Sequence, residues 1–456
     1  MTRVSHHIFR EYDVRGVVGE DLTPDVAGLL GQAYGSQLRE DLGLSTPSVA
    51  LGYDNRLSSE ELAGAFASGL QAAGAAVTHV GLVPTPALYF AVHHFACDAG
   101  IQVTGSHNPP DYNGFKMLTA GGPFYGRSIQ RLRQRIDSQD FAEGSGSLAE
   151  REILEAYISD VAGRFKLERP VKVVIDCGNG TGSLGAVTML ERIGAQVDAL
   201  YCESDGTFPN HHPDPTVDEN IAELIERVRT SDAELGIAFD GDADRIGAVD
   251  ENGEIVRGDQ LLLVYALDAL KRRPGEQVIF DVKCSQTLED GIREAGGRPI
   301  MWKTGHSLIK EKMRETGTTI AGEMSGHMFF GDDYYGYDDA LYSACRLVDV
   351  VARSGGPLSG LLANVPRLAS TPEIRVECGD DVKFELVAGA VKHFKQDYEV
   401  VDVDGARIRF ADGWALIRAS NTQPIVVLRF EAADEERLGA IRDEVYGWLR
   451  AEGLAV

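Results

Sequence analysis

Three aspartates at alternate positions, Asp240, Asp242 and Asp244, are the side chains of this chain with the clearest capacity for chemistry. Hard divalent cations prefer oxygen ligands, and three carboxylates so spaced can converge on one ion. Apolar runs at 235–239 and 246–249 flank the loop and predict a buried strand on each side of it. Three charges in such a place would repel one another without a cation. The sequence therefore predicts a divalent metal site, of a kind typical of phosphate chemistry.

Other interpretations of this loop stay open on the residues alone. An EF-hand calcium loop has Asp at positions 1, 3 and 5, Gly at position 6 and Glu at position 12. The chain supplies the aspartates and Glu251, but Arg245 stands at the glycine position and the flanks look like strands rather than helices. The loop also resembles the strand-end Asp-x-Asp of the haloacid dehalogenase phosphatases, where the first aspartate, here Asp240, would be the nucleophile. A solvated acidic turn is the least favoured interpretation, because of the repulsion.

A second polar loop, at 104–109, follows the strand-like run 99–103. It places Ser106 beside His107 on a turn, and the chain has no Gly-x-Ser-x-Gly elbow, so a hydrolase triad is not indicated. Lys116 follows on an amphipathic strand, from which its amine could reach either solvent or a site.

Two more loops carry groups that suit sugars and phosphates. Residues 322–327 combine a carboxylate, a hydroxyl and an imidazole, which together donate and accept hydrogen bonds as sugar hydroxyls require. Residues 418–424 combine a guanidinium with hydroxyls and an amide, and the planar fork of Arg418 matches phosphate oxygens. Each loop alone could be an ordinary turn. Four such loops in one chain indicate a shared function.

The loops recur at equivalent places in a repeated strand–helix pattern. Strand-like runs at 48–53, 171–176 and 277–281 each lead to a polar loop and a helix, and each unit ends in one of the loops above. Alternating strands and helices favour α/β layers, whose ligands bind at the carboxyl ends of the strands. The sequence therefore predicts three related α/β domains that face one cleft.

Finer predictions concern the ends of these units. Ser58 and Glu61 fit a capping box at the start of a helix that runs to about residue 73. Residues 143–147 are the best candidate linker between the first two units. The last ~90 residues look α+β, with helices near 381–395 and 434–451.

Composition narrows the class of protein. The formal net charge of −26 argues against nucleic-acid partners, whose phosphates would be repelled. No apolar run approaches the ~20 residues of a membrane span, and the N-terminus lacks the apolar core of a signal peptide. The six cysteines are scattered without a Cys-x-x-Cys pair, which indicates neither a zinc knuckle nor a disulfide framework. We therefore expect a cytoplasmic protein with no membrane partner.

The four loops, in this order, resemble the signatures of the α-D-phosphohexomutase superfamily, and the resemblance covers nearly the whole chain from residues 9–16 onward. Residues 322–327 and 303–307 are most similar to the bacterial phosphomannomutase/phosphoglucomutase branch, and Met324 stands where phosphoglucosamine mutases typically carry Gln. The resemblance implies three related α/β domains plus a C-terminal α+β domain around a central cleft. The expected domains are 1–147 with the phosphoserine loop, 148–252 with the metal loop, 253–366 with the sugar loop and 367–456 with the phosphate loop.

The resemblance also implies a role for each candidate residue. In the metal and reaction centre, Ser106 would carry a phosphate and share Mg²⁺ with Asp240, Asp242 and Asp244, Arg245 would stabilise that phosphate, and His107 and Lys116 would transfer protons. Along the cleft, the substrate would meet Tyr12, Arg15, Lys283, His306, Glu323, Ser325 and His327. The non-reacting phosphate would meet Arg418, Ser420, Asn421 and Thr422.

The activity so implied is the reversible interconversion of hexose 1-phosphates and hexose 6-phosphates, of mannose and/or glucose, through a phosphoserine enzyme and a hexose 1,6-bisphosphate. Glucose 1,6-bisphosphate or mannose 1,6-bisphosphate would be the activator, and the protein is expected to be a monomer or weak dimer. The alternatives are a phosphoglucosamine mutase, a metal-dependent sugar phosphatase, and a calcium-binding or sugar-phosphate-sensing protein without turnover.

Overall fold

The first domain is built on a mixed sheet whose central strands are parallel. A computed structural model describes residues 4–421 and 423–456 of the chain. The elements of this domain are β1 (Val14–Val17), α1 (Pro24–Leu42), β2 (Ser48–Tyr53), α2 (Ser59–Ala72), β3 (Ala76–Leu82), α3 (Thr85–His94), β4 (Ala99–Val103), β5 (Tyr112–Thr119), β6 (Gly122–Pro123), α4 (Arg127–Ser138) and β7 (Ser147–Glu150), after a 3-10 turn at His6–Ile8. The strand order is β1-β5-β4-β2-β3-β7, with β6 paired to β5.

The second and third domains follow in chain order. The second contains α5 (Leu154–Ala162), β8 (Lys172–Asp176), α6 (Ala186–Ile193), β9 (Gln196–Leu200), α7 (Ala222–Arg229), β10 (Leu235–Phe239), β11 (Ile246–Asp250) and β12 (Ile255–Val256), with 3-10 turns at Thr181–Leu184 and Asp218–Ile221. The third contains α8 (Gly258–Arg272), β13 (Gln277–Asp281), α9 (Gln286–Glu294), β14 (Arg298–Trp302), α10 (His306–Thr316), β15 (Ile320–Gly322), β16 (Met328–Phe330), α11 (Ala340–Ser354) and α12 (Leu358–Leu361). Their strand orders are β12-β11-β10-β8-β9 and β14-β13-β15-β16.

These three domains share one sheet topology. In each, the first strand of the repeat (β2, β8 or β13) lies between the second and the third, and all three strands are parallel. A fourth strand (β5, β11 or β16) then returns antiparallel beside the third. The prediction of three related α/β domains is confirmed. In every domain the functional loop joins the third strand to the antiparallel fourth.

The fourth domain is different, as predicted. It contains β17 (Ala369–Ser370), β18 (Ile374–Glu377), α13 (Lys383–Phe394), β19 (Glu399–Val401), β20 (Ala406–Phe410), β21 (Gly413–Ala419), β22 (Ile425–Ala432) and α14 (Glu435–Ala451). The sheet runs β17-β22-β21-β20-β19, with β18 also paired to β22, and its strand pairs are antiparallel. The phosphate loop lies between β21 and β22, so it too joins two antiparallel strands.

Two local predictions differ from the structure. The capping box at Ser58 is wrong: the helix starts at Ser59, and Ser58 has helical backbone angles and makes no capping hydrogen bond. Its hydroxyl instead accepts a hydrogen bond from Asn113 Nδ2 at 2.8 Å. The candidate linker at 143–147 packs on the first domain, because Gly144 and Gly146 donate to carbonyls of the last turn of α2, and β7 pairs with β3. The first sheet thus includes β7, which ends at Glu150.

The hydrophobic cores explain which domains form one unit. One continuous core joins the second and third domains and reaches α3 of the first, whereas the fourth domain has a core of its own. A small separate cluster lies where the third and fourth domains meet. In it, Val282 of the third domain packs with Trp414 and Leu416 of the fourth. Among the described residues, no helix has both the length and the apolar character that crossing a bilayer requires.

Candidate active site

The Ser106 loop and the Asp240 loop meet at the contact between the first two domains. Ser106 Oγ lies 3.0 Å from Asp240 Oδ2 and 3.1 Å from His107 Nδ1. Ser106 has a φ of +48°, a left-handed conformation that few residues other than glycine adopt and that is often found at functional sites. A Cβ on Gly241 would lie 2.4 Å from the Ser106 carbonyl oxygen, so the two loops touch backbone to backbone. The serine hydroxyl is therefore held against the acidic loop.

Arg56, which the sequence prediction missed, holds the Ser106 loop in shape. Its guanidinium is buried and donates to the carbonyl oxygens of residues 106, 108, 109 and 112, at 2.8, 2.6, 2.5 and 3.1 Å. Asp54 accepts from Arg56 Nε at 3.2 Å and from the Gly105 amide at 3.0 Å. The sequence did contain a signal for Asp54 and Arg56. Both directly follow the parallel strand β2, so they lie at the same edge of the sheet as the Ser106 loop.

The three predicted metal ligands form one buried cluster. Asp240, Asp242 and Asp244 are fully buried, and one oxygen from each lies within 4.8 Å of the others. Thr85 and Thr104, which were not predicted, both donate to Asp242 Oδ2, at 2.5 and 3.1 Å. Among the described residues, Asp242 Oδ1 and Asp244 Oδ1 have no hydrogen-bond partner. An all-oxygen set with two such atoms fits a hard divalent cation.

Burial and mutual repulsion set the electrostatics of this cluster. Burial, and then the charges of Asp244 and Asp242, raise the pKa of Asp240 well above its ordinary value. Burial also acts to raise the pKa of Asp242, but the Lys116 ammonium and several hydrogen bonds outweigh it and lower that pKa. The cluster therefore has a strong requirement for positive charge.

Lys116 supplies one such charge. Its Nζ lies 2.7 Å from Asp242 Oδ2 and 2.5 Å from Asp244 Oδ2, and the side chain is almost completely buried. Burial acts to lower its pKa, but the surrounding aspartates raise the pKa above its ordinary value. The sequence left open whether the Lys116 amine reaches solvent or a site, and the structure places it in the site.

A group of basic side chains lies on the other side of Asp244. Arg245 Nε donates to His327 Nε2 at 3.0 Å, and the His327 ring stacks on His306 at 5.3 Å. Asp338 Oδ2 lies 3.1 Å from His327 Nδ1 and 3.3 Å from His306 Nδ1. Burial, helped by the charge of Lys310, lowers the pKa of His306 to about 4. Asp338 was also missed, although it belongs to a pair of aspartates just before α11.

Two of the predicted substrate residues, Glu323 and Tyr12, bind the backbone at residues 304–305. Glu323 accepts from the Gly305 amide at 2.6 Å, and Ser325 is half-buried in the same turn. Tyr12 donates to the Thr304 carbonyl at 2.9 Å and accepts from Asn421 Nδ2 at 3.1 Å. The first, third and fourth domains thus meet at Tyr12.

Other predicted residues pair with acidic groups that the sequence prediction did not name. Arg418 Nε donates to Asp404 at 2.6 Å, and Lys283 Nζ lies 2.6 Å from Glu373. Arg15 pairs with Asp13 at 2.5 Å. The Ser420 hydroxyl accepts from the Gln423 amide at 3.1 Å. Thr422 lies outside the described residues.

The surroundings of the Asp240 loop decide against the EF-hand interpretation. The loop joins β10 and β11, which pair antiparallel with Phe239 opposite Ile246. An EF-hand loop joins two helices, so that interpretation is wrong. Three related α/β domains and a C-terminal α+β domain, with a serine loop against a buried acidic loop, are the architecture of the α-D-phosphohexomutase superfamily.

Comparison with known proteins gives the family. Models of phosphoglucomutase/phosphomannomutase α/β/α domains I, II and III match residues 6–143, 155–253 and 257–368, and the model of the C-terminal domain matches 373–447. The chain belongs to the phosphoglucomutase/phosphomannomutase family.

Similar proteins cover almost the full chain. A phosphomannomutase/phosphoglucomutase of Pseudomonas aeruginosa is 46% identical over 445 residues, which are 97% of this chain and 96% of that protein. A phosphoglucomutase of Neisseria gonorrhoeae is 44% identical over 450 residues, 97% and 96% of the two chains. The crystal structure of a family protein from Burkholderia thailandensis is 44% identical and superposes with a TM-score of 0.92 over 99% of each chain.

Proposed function

We propose that the chain interconverts hexose 1-phosphates and hexose 6-phosphates of mannose and/or glucose, with the transferred phosphate carried on Ser106. The observation that carries this proposal is the position of Ser106 Oγ, 3.0 Å from Asp240 Oδ2 where two domains meet. Phosphoryl transfer requires positioning and charge stabilisation more than covalent help, and the loops around Ser106 offer both. The names of the similar proteins support the same activity.

Mg²⁺ is the cation we propose for Asp240, Asp242 and Asp244, together with an oxygen on Ser106. When bound, it would supply Lewis-acid stabilisation of the charge on a transferring phosphoryl group. The two aspartate oxygens without hydrogen-bond partners among the described residues support this assignment. Thr85 and Thr104 of the first domain donate to the Asp242 carboxylate, so the contact between the first two domains would help to orient this ligand.

Basic side chains would stabilise the charge on the phosphoryl oxygens. Arg245 is directed by its hydrogen bond to His327, and Lys116 lies against Asp242 and Asp244. A guanidinium and an ammonium so placed act electrostatically without reorganising during the reaction. His107, with Nδ1 3.1 Å from Ser106 Oγ, is placed to exchange a proton with that oxygen.

The far end of the cleft would hold the phosphate that does not react. Arg418 lies near the end of β21, and Ser420 and Asn421 lie in the loop that follows this strand. Thr422 stands between Asn421 and Gln423 in the sequence. Glu323, Ser325 and His327 would bind sugar hydroxyls between the two ends, with Tyr12, Arg15, Lys283 and His306 lining the cleft. One clamp and one reaction centre suit a 1,6-bisphosphate, since either of its phosphates can occupy either place.

Turning the bisphosphate over requires the fourth domain to loosen its hold. We propose a hinge near residues 366–372, a range that includes β17 at the start of the fourth domain and lies next to the contact between Glu373 and Lys283. Small-angle scattering with and without glucose 1,6-bisphosphate tests this. A change in radius of gyration is expected, and identical curves would contradict the hinge.

The central test is intact-protein mass spectrometry after incubation with glucose 1,6-bisphosphate, or its mannose counterpart, and Mg²⁺. One phosphate adduct is expected on the wild type and on Ser68→Ala, a matched serine control that is exposed on α2. Ser106→Ala should carry none. An adduct on Ser106→Ala, or none on any protein, would sink the proposal.

The rival activities give different results. A sugar phosphatase with Asp240 as nucleophile would lose its phosphoenzyme in Asp240→Asn and keep it in Ser106→Ala. A phosphoglucosamine mutase would turn over glucosamine 6-phosphate, and a sensor would bind sugar phosphates without turnover.

We further propose that the protein is cytoplasmic and a monomer or weak dimer, with domain limits near residues 147, 252 and 366.

A further inference from the structure

Two cysteines of the second domain lie in direct contact. Cys177 follows β8, and Cys202 lies two residues beyond the end of β9, the neighbouring parallel strand. Their Sγ atoms are 2.9 Å apart, although the two residues are separated by 25 positions in the chain. The Cys177 amide donates to the Leu200 carbonyl at 3.2 Å, so the strand pairing extends to this point.

A kink in the backbone at Tyr201 brings the Cys202 sulfur into contact with the Cys177 sulfur. Successive side chains of a strand point to opposite faces, so a regular extension of β9 would direct residues 201 and 202 to opposite faces. Tyr201 instead has a φ of +52°, which breaks that alternation. The Asn179 amide holds the kink by donating to the Tyr201 carbonyl at 2.9 Å. The contact between the sulfurs is therefore fixed by backbone hydrogen bonds on both sides.

The pair differs from the other cysteines. Cys97, Cys284, Cys345 and Cys378 are all buried, and among the described residues none of them contacts a second sulfur. Cys177 is fully buried, whereas Cys202 is half-buried. Cys202 is thus the sulfur that a dissolved oxidant reaches first.

We propose that Cys177 and Cys202 form a reversible disulfide, with a low-molecular-weight disulfide such as glutathione disulfide as the oxidant. The Cys202 thiolate attacks one sulfur of glutathione disulfide, which forms a mixed disulfide and releases one glutathione. The Cys177 sulfur then attacks the Cys202 sulfur, forms the intramolecular bond and releases the second glutathione. Two protein thiols are oxidised and one glutathione disulfide is reduced to two thiols. A protein disulfide is about 2.05 Å long, so closing the pair requires little movement.

The cross-link would join two loops that support the candidate active site. After Cys177, the Asn179 carbonyl accepts from Asn55 Nδ2 of the first domain at 2.7 Å, and the Thr181 amide donates to the Gly241 carbonyl at 2.9 Å. After Cys202, the Ser204 hydroxyl accepts from the same Asn55 amide at 3.0 Å. Asn55 precedes Arg56, so the disulfide would stiffen the support of both the Ser106 loop and the Asp240 loop.

The test uses the full chain incubated with glutathione disulfide, then alkylated, digested and mapped by mass spectrometry. The expected result is a peptide that links Cys177 to Cys202, two hydrogens lighter than the reduced pair and lost on treatment with dithiothreitol. Oxidised wild type should melt at a higher temperature than the reduced form, because a 25-residue separation is closed by the bond.

Two variants complete the design. Cys202→Ser should show neither the linked peptide nor the change in melting temperature, and Cys378→Ala, a matched control in the fourth domain, should keep both. A linked peptide between other cysteines, a glutathione adduct that persists on Cys202, or no oxidation of the wild type would overturn the proposal. Because the readouts are mass and melting temperature, the result is independent of the proposed mutase activity.

Discussion

At the scale of the residue, the candidate site depends on side chains that orient the reacting groups but would not take part in the reaction themselves. Asp242 receives hydrogen bonds from Thr85 and Thr104. Arg56 donates three hydrogen bonds to the Ser106 loop and a fourth to the first residue of β5. Such partners orient the groups that would touch a metal or substrate, and their loss typically costs roughly 10–100-fold in metal affinity or activity.

Thr85→Val should weaken Mg²⁺ binding. Valine keeps the shape of the side chain but removes the hydrogen bond to Asp242 Oδ2, so the carboxylate loses its orientation, at a cost of roughly 10–100-fold in metal affinity. The measurement is the Mg²⁺ dependence of turnover, with calorimetric titration beside it. Thr230→Val, whose hydroxyl caps a carbonyl on the exposed end of α7, is the control. Equal Mg²⁺ affinity in wild type and Thr85→Val would refute the role given to Thr85.

Arg56→Lys should lower turnover on the order of 10²-fold while the protein stays folded, since an ammonium cannot reach the four carbonyls that the planar guanidinium binds. The check is kcat/KM together with circular dichroism. Arg39→Lys is matched to it, because Arg39 also donates to two carbonyls, of Ala73 and Glu143, but far from the cleft. If both variants lose activity equally, the Ser106 loop does not depend on Arg56.

At the scale of the element, the three α/β domains place their functional loops by one rule. Each loop joins the third parallel strand to an antiparallel fourth strand, as Asp240 and its neighbours join β10 to β11. Because the two flanking strands are hydrogen-bonded neighbours, both ends of the loop are fixed at one edge of the sheet, which limits how far the loop can move. Close contact between two such loops then requires a residue without a side chain.

Gly241→Ala tests this contact between loops. The added Cβ would meet the Ser106 carbonyl oxygen at 2.4 Å, so one loop must move, and we expect a loss of about 1–3 kcal/mol in the free energy of unfolding together with failure to phosphorylate Ser106. Urea denaturation and intact mass measure the two effects. Gly64→Ala, on α2 with open space around it, should be neutral or stabilising. A fully phosphorylated, equally stable Gly241→Ala protein would show that the loops need not touch.

At the scale of the whole molecule, the fourth domain is the separable part. It has its own core and meets the third domain through the small apolar cluster of Val282, Trp414 and Leu416 and through polar contacts. The polar contacts include donation from Arg407 to the Val282 and Cys284 carbonyls at 2.6 and 2.7 Å. The ion pair between Glu373 and Lys283 lies next to the proposed hinge. Separating a domain held in this way from its neighbour costs less free energy than separating two domains that share a hydrophobic core.

Glu373→Gln should change how stability depends on pH. The charge of Lys283 lowers the pKa of Glu373 from its ordinary value of 4.5 to about 2, so the ionised pair stabilises the folded protein above pH 4.5 and loses this contribution as pH falls from 4.5 to 2. The melting temperature of the wild type should therefore exceed that of Glu373→Gln at pH 6, with the difference shrinking as pH falls toward 3. Glu377→Gln, at an exposed position of β18, should follow the wild type. A constant difference across this range would remove the ion pair as the cause.

The sequence by itself determined the elements and the chemistry of the loops, because both are local. Runs such as 99–103 and 235–239 became strands with those limits, and the alternate carboxylates from Asp240 to Asp244 indicated a cation site whatever lay around them. The capping box at Ser58 failed for a reason outside its local pattern, since its hydroxyl binds Asn113 across the domain. Only the tertiary structure decided that Thr85, Arg56, Asp338 and Glu373 belong to the site. Each of them binds its partner across a long sequence separation, and a contact of that kind is set by how the sheets and domains pack rather than by any pattern along the chain.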